Sequence, residues 1–477
     1  MPDADCRHLA SLSDLSSSCL RQVLDRYPPS PTYWVAYSGG LDSTVLLHIA
    51  VTLAGELPAR QIRAIHIHHG LHPDADHWTA HCQKSCANLG VPLSVIRVNA
   101  DRQPGESPEE TARTARYKAI ENLVGPSDCV LLAQHRDDQA ETLLLQLLRG
   151  TGLRGLAAMP EWGKLGTGSL VRPFLDLTRA DLHDYATLHQ LQWVEDSSNQ
   201  DSAFDRNFLR QQVIPLLRSH WPGLSQTLAR TARHCGEASA LLDSEAQILL
   251  TRILEPEGKG VSIDRLTVLD LAQQKLALRE WIRSAGHRMP STAVIDRILR
   301  EAVAAGPDRN PRVDWREAEV RRYRGVLYLL PLLAGFDGQS KLDWPSGQTR
   351  LELPGNGALV MTEANFGGIC RKQLENSRVS IRYRAGGETL RLAGRQGTHN
   401  LKKLFQEAGL PPWVRERIPL IYLDDQLASV GGFWVSSDFS ETDAGLSRIS
   451  LQWVPPAGLS PLPINVALAL PLEAGKA

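Results

Sequence analysis

Apolar and polar positions along this chain follow two periods in turn. Short β-branched or aromatic runs stand at YWVAY (33–37), IRAIHIH (62–68), LSVIRV (93–98) and CVLLA (129–133), each of strand length. Between them apolar residues return every three or four positions, as Val45, Leu46, Ile49, Ala50 and Leu53 do on one helical face. Strands alternating with helices predict a parallel sheet covered on both sides, with ligands at the carboxyl ends of its strands. From about 205 to 255 the period is helical, and KLALREWIRSAG (275–286) and TAVIDRILREAVAAG (292–306) carry it on. VDWREAEVRRYRGVLYLLPLL (313–333) then reads as a β-hairpin turning at Arg324–Gly325, and the last segment as short strands with one helix at NLKKLFQEAG (400–409).

The expected fold is α/β. Residues 1–215 form a Rossmann-like parallel-sheet domain and 216–335 a mainly helical one. Residues 336–370, rich in glycine and proline, form a linker or small β segment, 371–460 a small α+β domain, and 461–477 a tail. The length of 477 residues suits two to four domains. A net charge of −1 gives no overall pull on a polyanion, so any nucleic-acid surface must be local. One exists in the sequence: between Arg371 and Arg417 eleven Lys/Arg stand against four Asp/Glu, a local charge of +7. Seven cysteines without a CxxC pair argue against a disulfide framework or a four-cysteine metal site, and for a reducing compartment. The first residues, MPDADCRHLA, resemble no signal peptide, and no run approaches a membrane span. The expected location is cytoplasmic.

The chemistry begins in SGGLDST (38–44). Two glycines remove side chains where backbone N–H groups must approach an anion, Ser38 and Ser43 add hydroxyls, and the helix starting near Leu41 turns its positive end to the charge. Asp42 repels phosphate unless a cation such as Mg²⁺ intervenes. The plain alternative is an N-capped helix after a tight turn. GxxxxGK[ST] is absent, which excludes a Walker A loop. GTGLRG (150–155) satisfies the dinucleotide fingerprint but follows the helical ETLLLQLLR, where that fingerprint must follow a strand.

Other strand ends add candidates. His66, His68, His69 and His72 cluster after the second strand, where they line a nucleotide pocket rather than bind metal. Arg113 and Arg116, with Tyr117, share a helical face after the third. His135, Asp137 and Asp138 open the helix after the fourth, a grouping suited to metal or acid–base work. Arg206, Asn207 and Arg210 start a later helix, an electrostatically poor place for cations that hints at phosphate. Each of these also has a plain reading as helix cap or solvated face.

SGGLDS resembles the PP-loop of the ATP pyrophosphatase superfamily. Together with HHGLH, ARTARY, QHRDDQAET, RGTGLRGL and EDSSNQDSAFDRNFLR, and GRQGTHNLKKLFQEAGLPPWVRERIPLIY near the C-terminus, it resembles the tRNA(Ile)-lysidine synthetase family. The resemblance implies that the wobble cytidine of an isoleucine tRNA with a CAU anticodon is adenylated at its C2 oxygen, after which the ε-amine of L-lysine displaces AMP. The ATP site would then use Ser38, Gly39, Gly40, Leu41, Asp42, Ser43 and Arg113, and Mg²⁺ would sit on Asp42 and Asp138. Asp42, His135 and Asp137 are the expected catalytic residues, with either Asp137 or His135 taking the amine proton. Arg206, Asn207, Arg210, Lys402, Lys403 and Arg415 are the expected tRNA contacts, the last three joined by Arg417, Trp413 and Phe405. Residues 1–215 become the adenylating domain, 216–335 a tRNA-contacting one and 371–460 a tRNA-binding one. A homodimer stays open. The competing readings are a PP-loop tRNA thiolase, which needs a catalytic cysteine or iron–sulfur cluster, and a non-catalytic nucleotide- or RNA-binding module.

Overall fold

The protein is described by a computed structural model covering residues 16–56, 60–68, 70, 73–98, 108–195, 201, 204–256, 260–306, 309–364, 368–393, 395–440 and 447–459. His69 and His72 lie outside these residues, as do most of EDSSNQDSA and the 461–477 tail. The chain divides into two compact units, one ending at Leu242 and the other starting at Asp243.

The first unit is built on a six-stranded sheet. Its strands are β1 (Thr32–Ala36), β2 (Gln61–His68), β3 (Leu93–Arg97), β4 (Cys129–Leu131), β5 (Trp162–Leu165) and β6 (Gly168–Val171), in the order β3-β2-β1-β4-β6-β5. All neighbours run parallel except the β5–β6 hairpin at one edge. The four expected strands form as read. The hairpin escaped reading because WGKL and GSLV are short, glycine-bearing and only partly apolar.

The helices of this unit are α1 (Ser17–Leu24), α2 (Leu41–Glu56), α3 (Ala75–Asn88), α4 (Pro108–Leu123), α5 (Arg136–Leu148), α6 (Leu153–Leu156) and α7 (Arg179–Leu188). Helix α2 is apolar around most of its circumference, with Val45, Leu46, Ile49, Ala50 and Leu53 all buried. A helix of that kind belongs inside a layer rather than on its surface. The chain winds outward from β1 to β3, then returns to lay β4 on the other side of β1. That reversal opens a crevice at the carboxyl ends of β1 and β4, the place where such sheets take ligands. It is why the segments after these two strands, 37–42 and 132–138, face one another.

Beyond α7 the chain forms α8 (Asp205–Phe208), a π-helical turn at Leu209–Val213, α9 (Ile214–His220) and the long α10 (Leu224–Ile253).

The second unit holds two hydrophobic cores. Helices between Ile263 and Val303 pack on a four-stranded sheet that contains the expected hairpin, Ala318–Tyr323 with Val326–Pro331. Arg324 and Gly325 both take positive φ, 48° and 74°, the two-residue turn whose twist matches paired strands. The other core surrounds the Leu401–Glu407 helix with a five-stranded and a four-stranded sheet. Residues 336–370 fold as part of it, supplying four short strands and burying Trp344, Leu353 and Leu359. No helix among the described residues is long and apolar enough to cross a membrane.

Candidate active site

The turn after β1 is held by its own side chains. Ser43 Oγ donates to the Gly40 carbonyl at 3.0 Å and accepts from the Ser38 amide at 3.2 Å. Thr44 Oγ1 donates to the same carbonyl at 2.9 Å, and Ser38 Oγ accepts from the Gly40 amide at 3.3 Å. Gly39 has φ +86°, and a Cβ there would stand 2.9 Å from Cys82 Sγ and 3.2 Å from Val194 Cγ2. Only glycine fits, for both conformation and room. The Val194 amide also donates to the Gly39 carbonyl at 2.9 Å. Leu41 is buried in the first turn of α2, an apolar anchor that seats the helix start.

His66 and His68 hold the neighbouring strand in place. His66 Nδ1 lies 2.9 Å from the Tyr37 carbonyl and its Nε2 3.2 Å from Thr79 Oγ1, while His68 meets Asp76 at 3.1 Å. Both are buried. They are struts behind the turn instead of the pocket lining expected of them. Among the described residues no set of His, Cys, Asp or Glu converges as a metal cluster.

Across the crevice His135 caps α5. Its Nδ1 accepts from the Asp138 amide at 3.3 Å, and the Asp138 carboxylate accepts from the His135 amide at 3.0 Å, a reciprocal capping box. Nε2 is thereby turned to Asp138 Oδ2 at 3.4 Å and Asp42 Oδ2 at 3.7 Å. With Nδ1 taken up in the cap, Nε2 is the ring nitrogen that faces Asp42. Asp42 Oδ1 is buried and has no hydrogen-bond partner. Burial holds the Asp42 carboxyl above its usual range, with nearby His135 opposing the shift.

Two expectations for the acids need correction. Asp138, a candidate Mg²⁺ ligand, has no free oxygen: Oδ1 receives Arg206 at 3.0 Å and Arg210 at 3.2 Å, and Oδ2 receives His135. Burial alone would raise its carboxyl, but His135 and the two guanidiniums hold it below the usual range. Asp137, a candidate base, is also fully engaged. Its Oδ2 accepts from the Arg179 amide at 3.1 Å, and its Oδ1 from Arg218 at 2.7 Å and Ser225 at 2.8 Å. These donors outweigh burial and lower its pKa, so it staples helices together and makes a weak base.

Arg206 and Arg210 are likewise committed inward. Besides Asp138 they grip Glu141, with Arg206 Nε at 2.8 Å and Arg210 Nε at 2.6 Å. Glu141 is 2% exposed. It went unread in the sequence, although it follows Asp138 by one helical turn and so shares its face. Asn207 is buried and donates to the Asp201 carbonyl at 2.8 Å. The cationic helix start is thus paired with two protein carboxylates.

Arg113 lies on α4 with its guanidinium 5.0 Å from the centre of the Tyr117 ring and Nη2 3.4 Å from the phenol oxygen. It borders a surface concavity with Thr114, Tyr117, Lys118 and Glu121.

The basic C-terminal segment is less charged than its composition promised. Acids from outside it pair Arg371 with Glu363, Arg378 with Asp343, Arg382 with Asp425 and Arg391 with Asp438. Arg415 donates to the Leu410 carbonyl and to Tyr323 Oη. Arg417 is buried and donates to two carbonyls, and Phe405 and Trp413 belong to the core. The expected basic patch with aromatic neighbours therefore reduces to Lys402 and Lys403, both exposed, neither ion-paired among the described residues.

A thiolase would need an activated sulfur. Burial pushes the Cys82 thiol to about 12 and that of Cys129 to about 11, the opposite of what a nucleophilic cysteine requires.

Comparison with known proteins identifies the domains. Family models match for a PP-loop domain over residues 15–217, a TilS substrate binding domain over 262–328 and a TilS substrate C-terminal domain over 379–453. The chain is 44% identical over 429 residues to the tRNA(Ile)-lysidine synthase of Methylococcus capsulatus, covering 90% of this chain and 97% of that one. It is 42% identical over 409 residues to the tRNA(Ile)-lysidine synthase of Coxiella burnetii, covering 85% and 90%. Among solved structures it is similar to a U34-tRNA thiolase from Methanococcus maripaludis, with a TM-score of 0.41 and 15% identity over 47% of this chain and 79% of that one. The chain belongs to the tRNA(Ile)-lysidine synthase family of PP-loop, ATP-using ligases.

Proposed function

We propose that the turn at Ser38–Ser43 seats ATP so that its AMP passes to the C2 oxygen of the wobble cytidine in an isoleucine tRNA with a CAU anticodon. The ε-amine of L-lysine then attacks C2 and expels AMP, leaving lysidine. The C2 oxygen of cytosine is a poor leaving group, and bonding it to phosphorus turns it into part of a good one. Pyrophosphate departs in the first step. Its charge calls for donors fixed in advance, which the turn's amides, the Ser38 hydroxyl and the start of α2 supply.

The observation that carries this reading is Asp42, a carboxylate at the mouth of an anion-binding turn with one buried oxygen unpartnered. An acid there weakens phosphate binding unless it holds a cation. Mg²⁺ favours one carboxylate or two beside phosphate oxygens, and Asp42 Oδ1 suits it where Asp138 does not. When bound, the ion would offset the charge of the leaving diphosphate. His135 keeps Asp42 in place from the opposite strand end, and Asp138, itself held by Arg206 and Arg210, keeps His135 in its rotamer. Lys402 and Lys403 supply contacts to the tRNA backbone.

The test is to supply ATP, Mg²⁺, radiolabelled lysine and an unmodified CAU-anticodon transcript. Label should enter the RNA with AMP and pyrophosphate as co-products, and Asp42→Ala should cut that transfer by about 100-fold or more with its melting curve preserved. ADP as the product, or full transfer by Asp42→Ala, would refute the assignment.

A further inference from the structure

Arg172 follows β6 and is 5% exposed, yet no carboxylate lies within ion-pair reach of it among the described residues. Burying a guanidinium without a counter-charge is costly, and burial indeed lowers its pKa. Three neutral acceptors take its donors instead. Nε donates to Gln134 Oε1 at 3.0 Å, Nη1 to the Pro160 carbonyl at 2.7 Å and Nη2 to Tyr117 Oη at 3.3 Å. These acceptors belong to the residue before His135, to the loop after α6, and to α4. One rigid fork therefore ties the β4 strand end to the helix that bears Arg113.

Tyr117 is the relay. Its ring packs against the apolar cluster that contains Trp34, Ile65 and Val130 of the sheet. The Arg113 guanidinium lies over the ring, 5.0 Å from its centre, and both arginines reach its single phenol oxygen. Two guanidiniums on one phenol are not mutually neutralised. They leave positive potential beside the concavity that Arg113 and Tyr117 border, and they depress the phenol's pKa despite its burial. A lysine could not take Arg172's place, since an ammonium cannot present three planar donors to acceptors on three different segments.

We propose that Arg172 is a positioning residue for adenylation. Through Tyr117 it holds Arg113 over the ring so that the outer edge of that guanidinium meets the departing diphosphate. The proposal rests on the adenylation reading above and on Arg113 serving the leaving group.

The experiment measures pyrophosphate release from ATP in the presence of the tRNA transcript for Arg113→Ala, Arg172→Lys, Tyr117→Phe and the double variant Arg113→Ala/Arg172→Lys. Tyr117→Phe keeps the ring under Arg113 and disturbs folding least. Both Arg172→Lys and Tyr117→Phe should lower kcat at least tenfold with the KM for tRNA unchanged. The double variant should be no slower than Arg113→Ala alone, the non-additivity expected of residues acting as a unit. Multiplying losses in the double variant, or normal turnover in Tyr117→Phe beside a crippled Arg113→Ala, would overturn the positioning role while leaving adenylation intact. Normal turnover in Arg113→Ala would overturn the proposal together with the leaving-group role of Arg113. Absence of pyrophosphate release from the unmodified protein would instead remove the adenylation reading.

Discussion

At Gly39 two constraints coincide: a left-handed φ of +86° and a wall formed by Cys82 and Val194. A non-glycine residue in that conformation costs about 1–2 kcal/mol before any contact is counted, and a Cβ at 2.9 Å from sulfur must push the α3 side chain away. Gly39→Ala should therefore lower stability by roughly 2 kcal/mol or more and weaken ATP binding strongly, as calorimetry and thermal melting would register. An alanine variant with native melting and native affinity would show that the turn is looser than described. The paired glycines after a strand announced this site in the sequence. Its back wall was not legible, because Cys82 and Val194 approach Gly39 only once α3 and the chain after α7 have folded. Arg172 was hidden for a similar reason. It stands in LVRPFLD with no local pattern, and its partners lie 12, 38 and 55 positions away.

Among the elements, α5 does the most joining. Its first turn caps itself through His135 and Asp138 and reaches α7, α9 and α10 through Asp137, and one turn on Glu141 grips the α8 start and the π-helical turn. The sequence showed the acids of QHRDDQAET but not what they hold, since burial and partnering depend on helices some forty to ninety residues further on. Asp137 gives a pH signature. Its pKa is depressed from the ordinary 3.8 by donors that outweigh burial, so its contribution to stability is present above that value and fades as pH falls through the lower folded value. Asp137→Asn should cost about 1–3 kcal/mol at neutral pH. The gap to the unmodified protein should close steadily below about pH 4, as urea titrations at several pH values would reveal. A gap independent of pH would mean that the carboxylate's charge contributes nothing.

On the scale of the whole molecule, alternating periods foretold the parallel sheet, the helical region after it and the hairpin at Arg324–Gly325. What they could not foretell is charge balance in space. Of the +7 of residues 371–417, four charges are paired with Glu363, Asp343, Asp425 and Asp438, which come from elsewhere in the second unit. Counting charges along a window overstated the surface available to RNA. Lys402→Ala with Lys403→Ala should accordingly weaken tRNA binding and flatten its dependence on salt by about one to two units of log–log slope. Substituting Arg378 or Arg391 should change the slope little. Equal effects from both sets would return the phosphate contacts to the paired arginines.

The serine and threonine bonds that close the Ser38–Thr44 turn on itself bear on the thermodynamics of the nucleotide. A floppy anion loop must lose conformational freedom each time its ligand arrives, and that loss is subtracted from every contact it makes. Here the chain has already surrendered this freedom in folding, so under the proposed function ATP would meet a cradle whose ordering entropy is spent once per molecule rather than once per turnover.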